Sequence, residues 1–288
     1  MWQTITDVII SETGIPFKIK HKQQITGGDI HLSYWISNYQ QNYFIKLNSL
    51  AQQANFEAET YSLQQLKASR SIYVPEVIAS GKTLDKSFLV LEYLAFDTPS
   101  NKDWYCFGER LADMHKTTIH GKFGWQHDNF IGLTPQPNKW QSNWRTFFAE
   151  QRIGWQLQLL AEKSIRFGDI EHLVQVCHDA LLHHSVKPCL VHGDLWQGNA
   201  GFIYQAPVIY DPACYYGDRE VDLAMTELFE PFPQAFYQGY QENYPLPPHY
   251  EQRKLIYNLY HILNHANLFG GDYIEQSKAM IARVLSLH

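Results

Sequence analysis

The sequence has few cysteines, and none of them form a recognisable motif. The four cysteines among its 288 residues stand far apart, at positions 106, 177, 189 and 214, so no CxxC motif occurs. This spacing gives no indication of a zinc knuckle or of a disulfide framework. We therefore expect reduced thiols and a cytoplasmic location.

The sequence also lacks a basic charge excess and a long apolar run. Its formal net charge is -6, whereas a protein that binds nucleic acid presents a basic face. No segment approaches the roughly 20 apolar residues of a membrane-spanning helix. The first residues have neither the basic segment nor the apolar core of a signal peptide. We expect a soluble globular protein that binds neither nucleic acid nor membranes.

The pattern of the chain changes near residue 93. Residues 1–13 resemble a short helix that Gly14 ends, and residues 55–68 carry apolar side chains at helical spacing. Between them and up to residue 93, alternating apolar runs at 17–47, 74–78 and 88–93 indicate five strands. Residues 1–93 are therefore predicted to form an α+β lobe, with an antiparallel sheet and one long helix.

Residues 94–288 are mostly helical in pattern and are predicted to form a second, larger lobe. The predicted helices cover residues 104–117, 143–164, 170–184, 220–229, 234–243, 249–268 and 273–287. Two short apolar runs, 200–204 and 207–210, flank Gln205 and Ala206 and predict a hairpin.

The most informative segment reads Leu-Val-His-Gly-Asp-Leu-Trp-Gln-Gly-Asn over residues 190–199. Phosphoryl transfer needs one carboxylate to accept the proton of the attacking hydroxyl, and an Asn and a second Asp to hold Mg2+. Asp194 and Asn199 have the spacing of the protein-kinase catalytic loop. Gly193 replaces the Arg of that loop, which favours a small-molecule kinase of the kinase-like fold.

Asp194 is the candidate catalytic base, and Asn199 and Asp211 are the candidate Mg2+ ligands because both supply hard oxygens. The predicted hairpin would bring Asn199 opposite the neighbourhood of Asp211. A structural Asp in a turn, a capping Asn and a strand-end Asp are the alternatives. His192 is expected to brace the loop by hydrogen bonding.

Lys46 lies at the end of an apolar strand, and a buried lysine needs a partner of opposite charge. Glu59 is a carboxylate on the apolar stripe of the predicted helix 55–68, whereas Glu57 lies about 200 degrees away around that helix. We predict a Lys46–Glu59 pair that orients the lysine toward the α and β phosphates of a nucleotide. A surface lysine and a solvated glutamate are the alternative.

Two further segments are candidates for nucleotide contacts. Gly27 and Gly28 lie between two predicted strands, where backbone N–H groups can approach phosphates, although a glycine pair is also an ordinary hairpin turn. Glu92, Tyr93 and Leu94 join the strand-rich part to the helical part, which is where a two-lobed kinase binds adenine. An ordinary interdomain connection is the alternative.

Three residues are candidates for acceptor contacts. Trp196 is placed either to stack on a sugar or amine or to pack beneath the loop. Asp218 and Arg219 are placed either to face the cleft or to form a surface ion pair. Asp222, at the start of an apolar helix, is expected to support the catalytic loop, with an N-cap as the alternative.

The chain resembles the fructosamine kinase (ketosamine-3-kinase) family over nearly its whole length. The most particular motifs are His-Gly-Asp-Leu-Trp at 192–196, Pro-Gln-Pro-Asn at 135–138 and Tyr-Tyr-Gly at 215–217. Further matching segments are Ile25–Gly28, Phe44–Lys46, Phe56–Glu59, Leu91–Tyr93, Asn129–Gly132, Asp211–Ala213 and Asp218–Ala224.

The resemblance implies a two-lobed, protein-kinase-like fold and transfer of the γ-phosphate of ATP to the C3 hydroxyl of a ketosamine. The product breaks down and frees the amine, so the implied role is deglycation repair. The implied site has Asp194 as base, Mg2+ at Asn199 and Asp211, phosphates at Lys46 and Glu59, and adenine at Glu92–Leu94. Asp29 stands where many relatives carry Cys, which argues against thiol-based control of the glycine loop.

The sequence leaves several alternatives open. The expected acceptor is a free or protein-bound ribulosamine, erythrulosamine or fructosamine, and the alternatives are choline, an aminosugar or an aminoglycoside. A catalytically silent nucleotide-binding regulator is disfavoured because the presumed catalytic set is complete. His261 and His265 stand at a zinc-compatible spacing, but packing is the favoured interpretation. The oligomeric state is not predicted.

Overall fold

The N-terminal lobe is built on an antiparallel sheet of five strands, as predicted. The computed structural model of the protein describes residues 1–26 and 31–287. The sheet has the order β1-β2-β3-β5-β4. Its strands are β1 (His21–Ile25), β2 (Leu32–Ser37), β3 (Asn42–Ser49), β4 (Val77–Lys82) and β5 (Lys86–Glu92). The glycine pair Gly27 and Gly28, predicted to contact phosphate, lies outside the described residues.

Two helices cover the two faces of this sheet. They are α1 (Trp2–Thr13), which ends at the left-handed Gly14, and α2 (Gln53–Ser69). Ile45 of β3 packs with Ile5 of α1. Successive side chains of a strand point to opposite faces of the sheet, so the next residue points away from α1. Lys46 follows Ile45 and stands opposite Leu89 of β5, whose side chain packs in the core that includes α2. Lys46 therefore lies on the face of the sheet that α2 covers.

Strand β4 begins three residues later than the predicted strand 74–78. Val74 is buried in the core that α2 shares rather than paired in the sheet. The chain joins the sheet only at Val77, where the register with β5 shifts. The packing of Val74 against α2 thus keeps residues 74–76 out of the sheet, although the local pattern predicts a strand there.

The second lobe is mostly helical, as predicted. Its helices are α3 (Asn101–Thr117), α4 (Trp144–Phe148), α5 (Trp155–Glu162), α6 (Ile170–Ala180), α7 (Glu220–Thr226), α8 (Gln234–Asn243), α9 (Tyr250–Phe269) and α10 (Asp272–Leu285). A π-helical turn, Ala149–Gly154, joins α4 to α5. The bounds predicted for α8 are confirmed, whereas the predicted helices 170–184 and 220–229 end earlier, at residues 180 and 226.

Three short antiparallel strand pairs lie among these helices. They are β6 (Asn129–Ile131) with β7 (Thr134–Gln136), β8 (Cys189–Val191) with β11 (Tyr215–Gly217), and β9 (Ala200–Ile203) with β10 (Ala206–Ile209). The β9–β10 hairpin confirms the prediction, with its turn at Tyr204 and Gln205, which both have positive φ. The other two pairs have strands of three residues, too short to show alternation, and were not predicted.

One continuous hydrophobic core connects the two lobes. It contains Phe56 and Leu66 of α2, Leu91 of β5, Phe107 of α3 and Leu195 of the segment 190–199. Helix α2 therefore packs against both its own sheet and the second lobe. Within the part of the chain that the structure describes, no helix is long and apolar enough to cross a membrane.

Candidate active site

A cleft of about 820 Å³ is lined by residues of both lobes. All the predicted site residues that the structure describes contribute to its lining, with two exceptions discussed below. Those that line it are Lys46, Glu59, Glu92, Tyr93, Leu94, Asp194, Trp196, Asn199 and Asp211. These residues come from five separate segments of the chain, so their meeting is a result of the fold.

Lys46 is held between two carboxylates. Its Nζ lies 2.6 Å from Glu59 Oε1, the predicted contact, and also 2.6 Å from Asp211 Oδ1. Burial alone would lower the pKa of Lys46, but the charges of Asp211 and Glu59 raise it above its ordinary value. Lys46 is therefore a buried, charged group that connects the sheet to the segment after β10.

Glu59, and not Glu57, faces the lysine. Glu59 is buried on α2, whereas Glu57 is exposed and accepts a hydrogen bond from Gln53 on the helix surface (2.7 Å). The two glutamates lie on different faces because residues two positions apart on a helix point in different directions. The helix-face argument made from the sequence thus identifies the correct partner.

Asp222 holds the backbone of the catalytic loop. Its two carboxylate oxygens accept hydrogen bonds from the N–H groups of His192 and Gly193, both at 2.8 Å. His115 of α3 lies 3.2 Å from the same carboxylate. Burial alone would raise the pKa of Asp222, but the hydrogen bond and charge of His115 outweigh it and keep the pKa below its ordinary value. This arrangement confirms loop support over an N-cap.

Gly193 occupies a position that a side chain would not fit. Its φ is +81°, and a Cβ built on it would lie 2.2 Å from the carbonyl oxygen of Ala213. The Ala213 N–H in turn donates to the carbonyl of His192 at 2.9 Å. The catalytic loop therefore packs backbone to backbone on the segment that follows Asp211, which explains why glycine stands here.

His192 braces the loop, as expected. Its Nδ1 accepts from the backbone N–H of Asp194 at 3.3 Å, and its Nε2 donates to the carbonyl of Tyr210 at 2.9 Å. This pattern of bonds places the ring proton on Nε2, and burial lowers the pKa of His192. These bonds fix the distance between the start of the catalytic loop and the end of β10.

Asp194 lies beside Asn199 at the mouth of the β9–β10 hairpin. Asn199 Nδ2 donates to the Asp194 carbonyl at 2.8 Å and to Asp194 Oδ2 at 3.1 Å. The Tyr210 N–H donates to the Asn199 carbonyl at 3.1 Å, which brings Asn199 near Asp211. Burial and then the negative charge of Asp211 raise the pKa of Asp194 to about 7.

The donor set around Asp211 fits a magnesium ion. The amide nitrogen of Asn199 is engaged by Asp194, so its amide oxygen is the atom that a cation would bind. Asp211 exposes 44% of its side chain and adopts the left-handed conformation, with φ 58°, which Asp tolerates better than most residues. Carboxylate and amide oxygens in one place are the hard ligands that Mg2+ takes.

The segment between the lobes also lines the cleft. The Glu92 carboxylate accepts from the Tyr73 hydroxyl at 2.7 Å and from the Glu76 N–H at 3.2 Å. The Tyr93 ring stacks on Trp35 of β2, with ring centroids 5.3 Å apart. The side chains of Glu92 and Tyr93 are therefore both tied to the first lobe.

Neither Asp218 nor Arg219 lines the cleft, which corrects the prediction that they face it. Asp218 is buried and accepts from the Tyr257 hydroxyl and from His184, both at 2.6 Å. The Arg219 guanidinium lies 3.6 Å from the Tyr244 ring centroid and donates to the Tyr244 carbonyl. The described part of the chain shows no ion pair between Asp218 and Arg219 either. Both residues instead tie β11 to helices behind the site.

Several aromatic side chains line the cleft, and the sequence predicted only Trp196 among them. Trp196, Phe229, His265, Phe269 and Tyr273 all line the cleft. Their rings follow one another at centroid distances of 6.0 Å (Trp196–Phe229), 5.0 Å (Phe229–His265) and 4.9 Å (His265–Tyr273). In sequence, His265 and Phe269 stand four residues apart on α9, which is also the spacing of ordinary helix packing. His265 Nδ1 donates to the His261 carbonyl at 2.8 Å, and the His265 ring packs between Phe229 and Tyr273, as the packing interpretation predicts.

Comparison with known proteins finds similar sequences over nearly the whole chain. The family model for fructosamine kinase matches residues 1–287. A probable ketoamine kinase of Vibrio parahaemolyticus is 46% identical over 289 residues, covering 99% of this chain and all of the relative. A probable ketoamine kinase of Synechocystis is 47% identical over 287 residues, covering 99% of this chain and 97% of the relative.

Solved structures extend the comparison. A protein from Haemophilus somnus assigned as a fructosamine-3-kinase has a TM-score of 0.94 and 38% identity, covering 99% of this chain and 98% of its own. An aminoglycoside phosphotransferase, APH(4)-Ia, in complex with AMP-PNP and hygromycin B, has a TM-score of 0.66 and 14% identity over 98% of each chain. At that identity, the second similarity concerns the fold alone.

Proposed function

This chain belongs to the fructosamine kinase family, a family of enzymes that transfer phosphate to a hydroxyl group, and on that premise we propose that it phosphorylates the C3 hydroxyl of ketosamines with ATP. The observation that carries the proposal is the meeting of Lys46, Glu59, Asp194, Asn199 and Asp211 in one cleft. A kinase site is mainly positioning and charge neutralisation, and these residues supply both. A nucleotide-binding regulator without catalytic activity would not need all five of these residues.

Asp194 acts as the base that accepts the proton of the attacking hydroxyl. Asn199 holds one of its oxygens, and His192 fixes its backbone N–H. Asp222 in turn holds the loop from beneath. Each of these bonds limits the movement of the carboxylate, and restricted geometry of the reacting groups is a large part of catalysis.

Lys46 binds the α and β phosphates of ATP, and Glu59 keeps its charged end in place. Asn199 and Asp211 hold Mg2+, which when bound neutralises the negative charge of the nucleotide phosphates. Asp211 is shared between the lysine and this proposed ion site, so the triphosphate would lie between the sheet and the catalytic loop.

Adenine binds beside Glu92, Tyr93 and Leu94, where the inter-lobe segment lines the cleft. In this proposal the lobe of residues 1–93 holds the nucleotide and the lobe of residues 94–288 supplies the base, the metal ligands and the acceptor site. Gly27 and Gly28 are proposed to cover the phosphates, on the basis of their place in the sequence between β1 and β2.

The acceptor is a sugar–amine adduct, which the aromatic lining supports. Trp196 exposes 38% of its surface and offers a ring face to a sugar, and the neighbouring rings suit a protonated amine through cation–π contacts. Among the described lining residues, Lys46 is the only lysine or arginine, and it is already paired with two carboxylates. We propose ribulosamine, erythrulosamine or fructosamine adducts of amines or protein lysines as substrates, and deglycation as the role.

Mass spectrometry of an acceptor panel tests this function. Ribulose-lysine, fructose-lysine, choline and an aminoglycoside would each be incubated with Mg-ATP and the enzyme, with Asp194→Asn as the matched control. We expect one added phosphate on the ketosamines alone and none with the variant. Phosphorylation of choline or of the aminoglycoside alone would contradict the ketosamine assignment while leaving the kinase site intact.

A further inference from the structure

His261 of helix α9 lies directly behind the proposed catalytic base. Its Nδ1 is 3.7 Å from Asp194 Oδ1, and its side chain is only 3% exposed. His261 does not line the cleft among the residues described there, so it approaches the carboxylate from the protein interior. His261 is not part of the proposed catalytic residues, and its role is unassigned by them.

The Nδ1 atom of His261 is a buried polar atom that lacks a hydrogen-bond partner among the described residues. Buried nitrogens in folded proteins are almost always paired, and an unpaired one is costly. The nearby Asp194 Oδ1 is an acceptor, and a shift of roughly 1 Å would bring the pair to ordinary hydrogen-bond distance. The geometry is therefore that of a contact that closes with a small movement.

The histidine would enter this contact as a neutral ring. Burial, and then the neighbouring His265, lower the pKa of His261 to about 3. A neutral imidazole carries its proton on one nitrogen and donates from that nitrogen only. The contact with Asp194 is therefore a hydrogen bond from an uncharged donor and not an ion pair.

The two oxygens of the base have different partners. Asn199 Nδ2 donates to Oδ2 at 3.1 Å, while His261 faces Oδ1. Each carboxylate oxygen accepts more than one hydrogen bond, so both bonds leave room for the acceptor hydroxyl. A donor on each oxygen would stop the carboxylate from rotating about its Cβ–Cγ bond.

We propose that His261 is a positioning residue, which donates a hydrogen bond from Nδ1 to Asp194 Oδ1 and thereby fixes the orientation of the catalytic carboxylate. This inference rests on the proposed role of Asp194 as the base. Helix α9 then contributes to two parts of the site. His261 contacts the base, and His265, one turn further along, belongs to the aromatic lining.

Steady-state kinetics with ribulose-lysine and ATP provide the first test. His261→Leu, which fills the space without a donor, should lower kcat about tenfold, the effect of losing one hydrogen bond to a charged group. Both KM values should change by less than about twofold because the residue does not touch either substrate. His261→Asn, whose amide nitrogen can take the place of Nδ1, should restore most of the lost kcat.

Ile262→Val is the matched control. Ile262 is buried next to His261 on the same helix, and this substitution costs some stability without removing a donor, so kcat should stay near the wild-type value. An unchanged kcat in His261→Leu, no rescue by Asn, or an effect confined to the acceptor KM would each overturn the proposal. If Asp194→Asn itself kept full turnover, the base assignment would fail instead.

NMR of protein labelled with 15N-histidine gives a second test that needs no acceptor. The His261 signals, assigned by their loss in His261→Asn, should report a neutral ring with its proton on Nδ1, and they should shift in Asp194→Asn. A ring protonated on Nε2, or signals indifferent to Asp194→Asn, would disprove the contact even if the kinase function stands.

Discussion

The two halves of the active site are held in place by different forces. On the phosphate side, Lys46 of β3 is held by charge, through ion pairs to Glu59 and Asp211. On the base side, residues 192–199 are held by hydrogen bonds between backbone groups and buried side chains, above all Asp222. The first half therefore depends on ion pairs, and the second depends mainly on hydrogen bonds to the backbone.

This difference has a consequence for how the site works. An ammonium group has three donors and can exchange one carboxylate for a phosphate oxygen without losing its other partner. The backbone N–H groups of His192 and Gly193 each have a single proton, and Asp222 takes both. If Lys46 binds phosphate as proposed, it can therefore exchange a carboxylate for a phosphate oxygen, while the loop that carries Asp194 keeps its hydrogen bonds to Asp222.

The largest expected effect is on the base itself. Asp194→Asn keeps the size of the side chain but cannot accept a proton, so kcat should fall by about 10²- to 10⁴-fold, the usual contribution of general base catalysis. Nucleotide affinity and thermal stability should stay close to wild type, because the loop is held by other residues. Turnover measured on ribulose-lysine and nucleotide titration calorimetry check this, and undiminished turnover would remove Asp194 as the base.

The second prediction breaks the support of the base side. Asp222→Ala leaves two buried N–H groups and His115 without their acceptor, so the free energy of unfolding should fall by about 3 kcal/mol or more. Urea denaturation measures this change. Asp113→Ala on α3 is the control, since its pair with Lys116 is exposed and such pairs contribute about 0–1 kcal/mol. Similar losses in both variants would argue against a special role for Asp222.

The sequence was sufficient to predict the parts of the site that depend on local spacing. Asp194 and Asn199 are five residues apart on one loop, and Glu59 was distinguished from Glu57 by the period of one helix. The fold class followed for the same reason, since the change from strands to helices near residue 93 is a local pattern.

Contacts between distant segments were harder to predict. Asp218 is buried because His184 and Tyr257 lie against it, 34 and 39 residues away, and no local pattern indicates such partners. Likewise, the ion pair between Lys46 and Asp211 joins residues 165 positions apart. His265 and Phe269 of the aromatic lining were missed because the spacing of a helix face is the same whether it packs in a core or borders a cleft.

The third prediction tests the phosphate side. Glu59→Gln removes a charge but keeps the shape, so Lys46 should be held less firmly and the KM for ATP should rise about tenfold, equivalent to roughly 1.4 kcal/mol. Glu57→Gln is the matched control on the exposed face of α2 and should leave this KM unchanged. Equal effects of the two substitutions would contradict the pairing of Glu59 with Lys46.

The smallest expected effect concerns the acceptor, and it decides whether the base side also holds the sugar–amine adduct. Trp196→Ala should raise the KM for ribulose-lysine about three- to tenfold, the value of one aromatic contact, and leave the KM for ATP unchanged. Tyr204→Ala is the control, because Tyr204 is 95% exposed on the β9–β10 turn and is not among the cleft-lining residues. If Trp196→Ala instead changed the KM for ATP, the ring would belong to the phosphate side, and the division of the site into two halves would have to be redrawn.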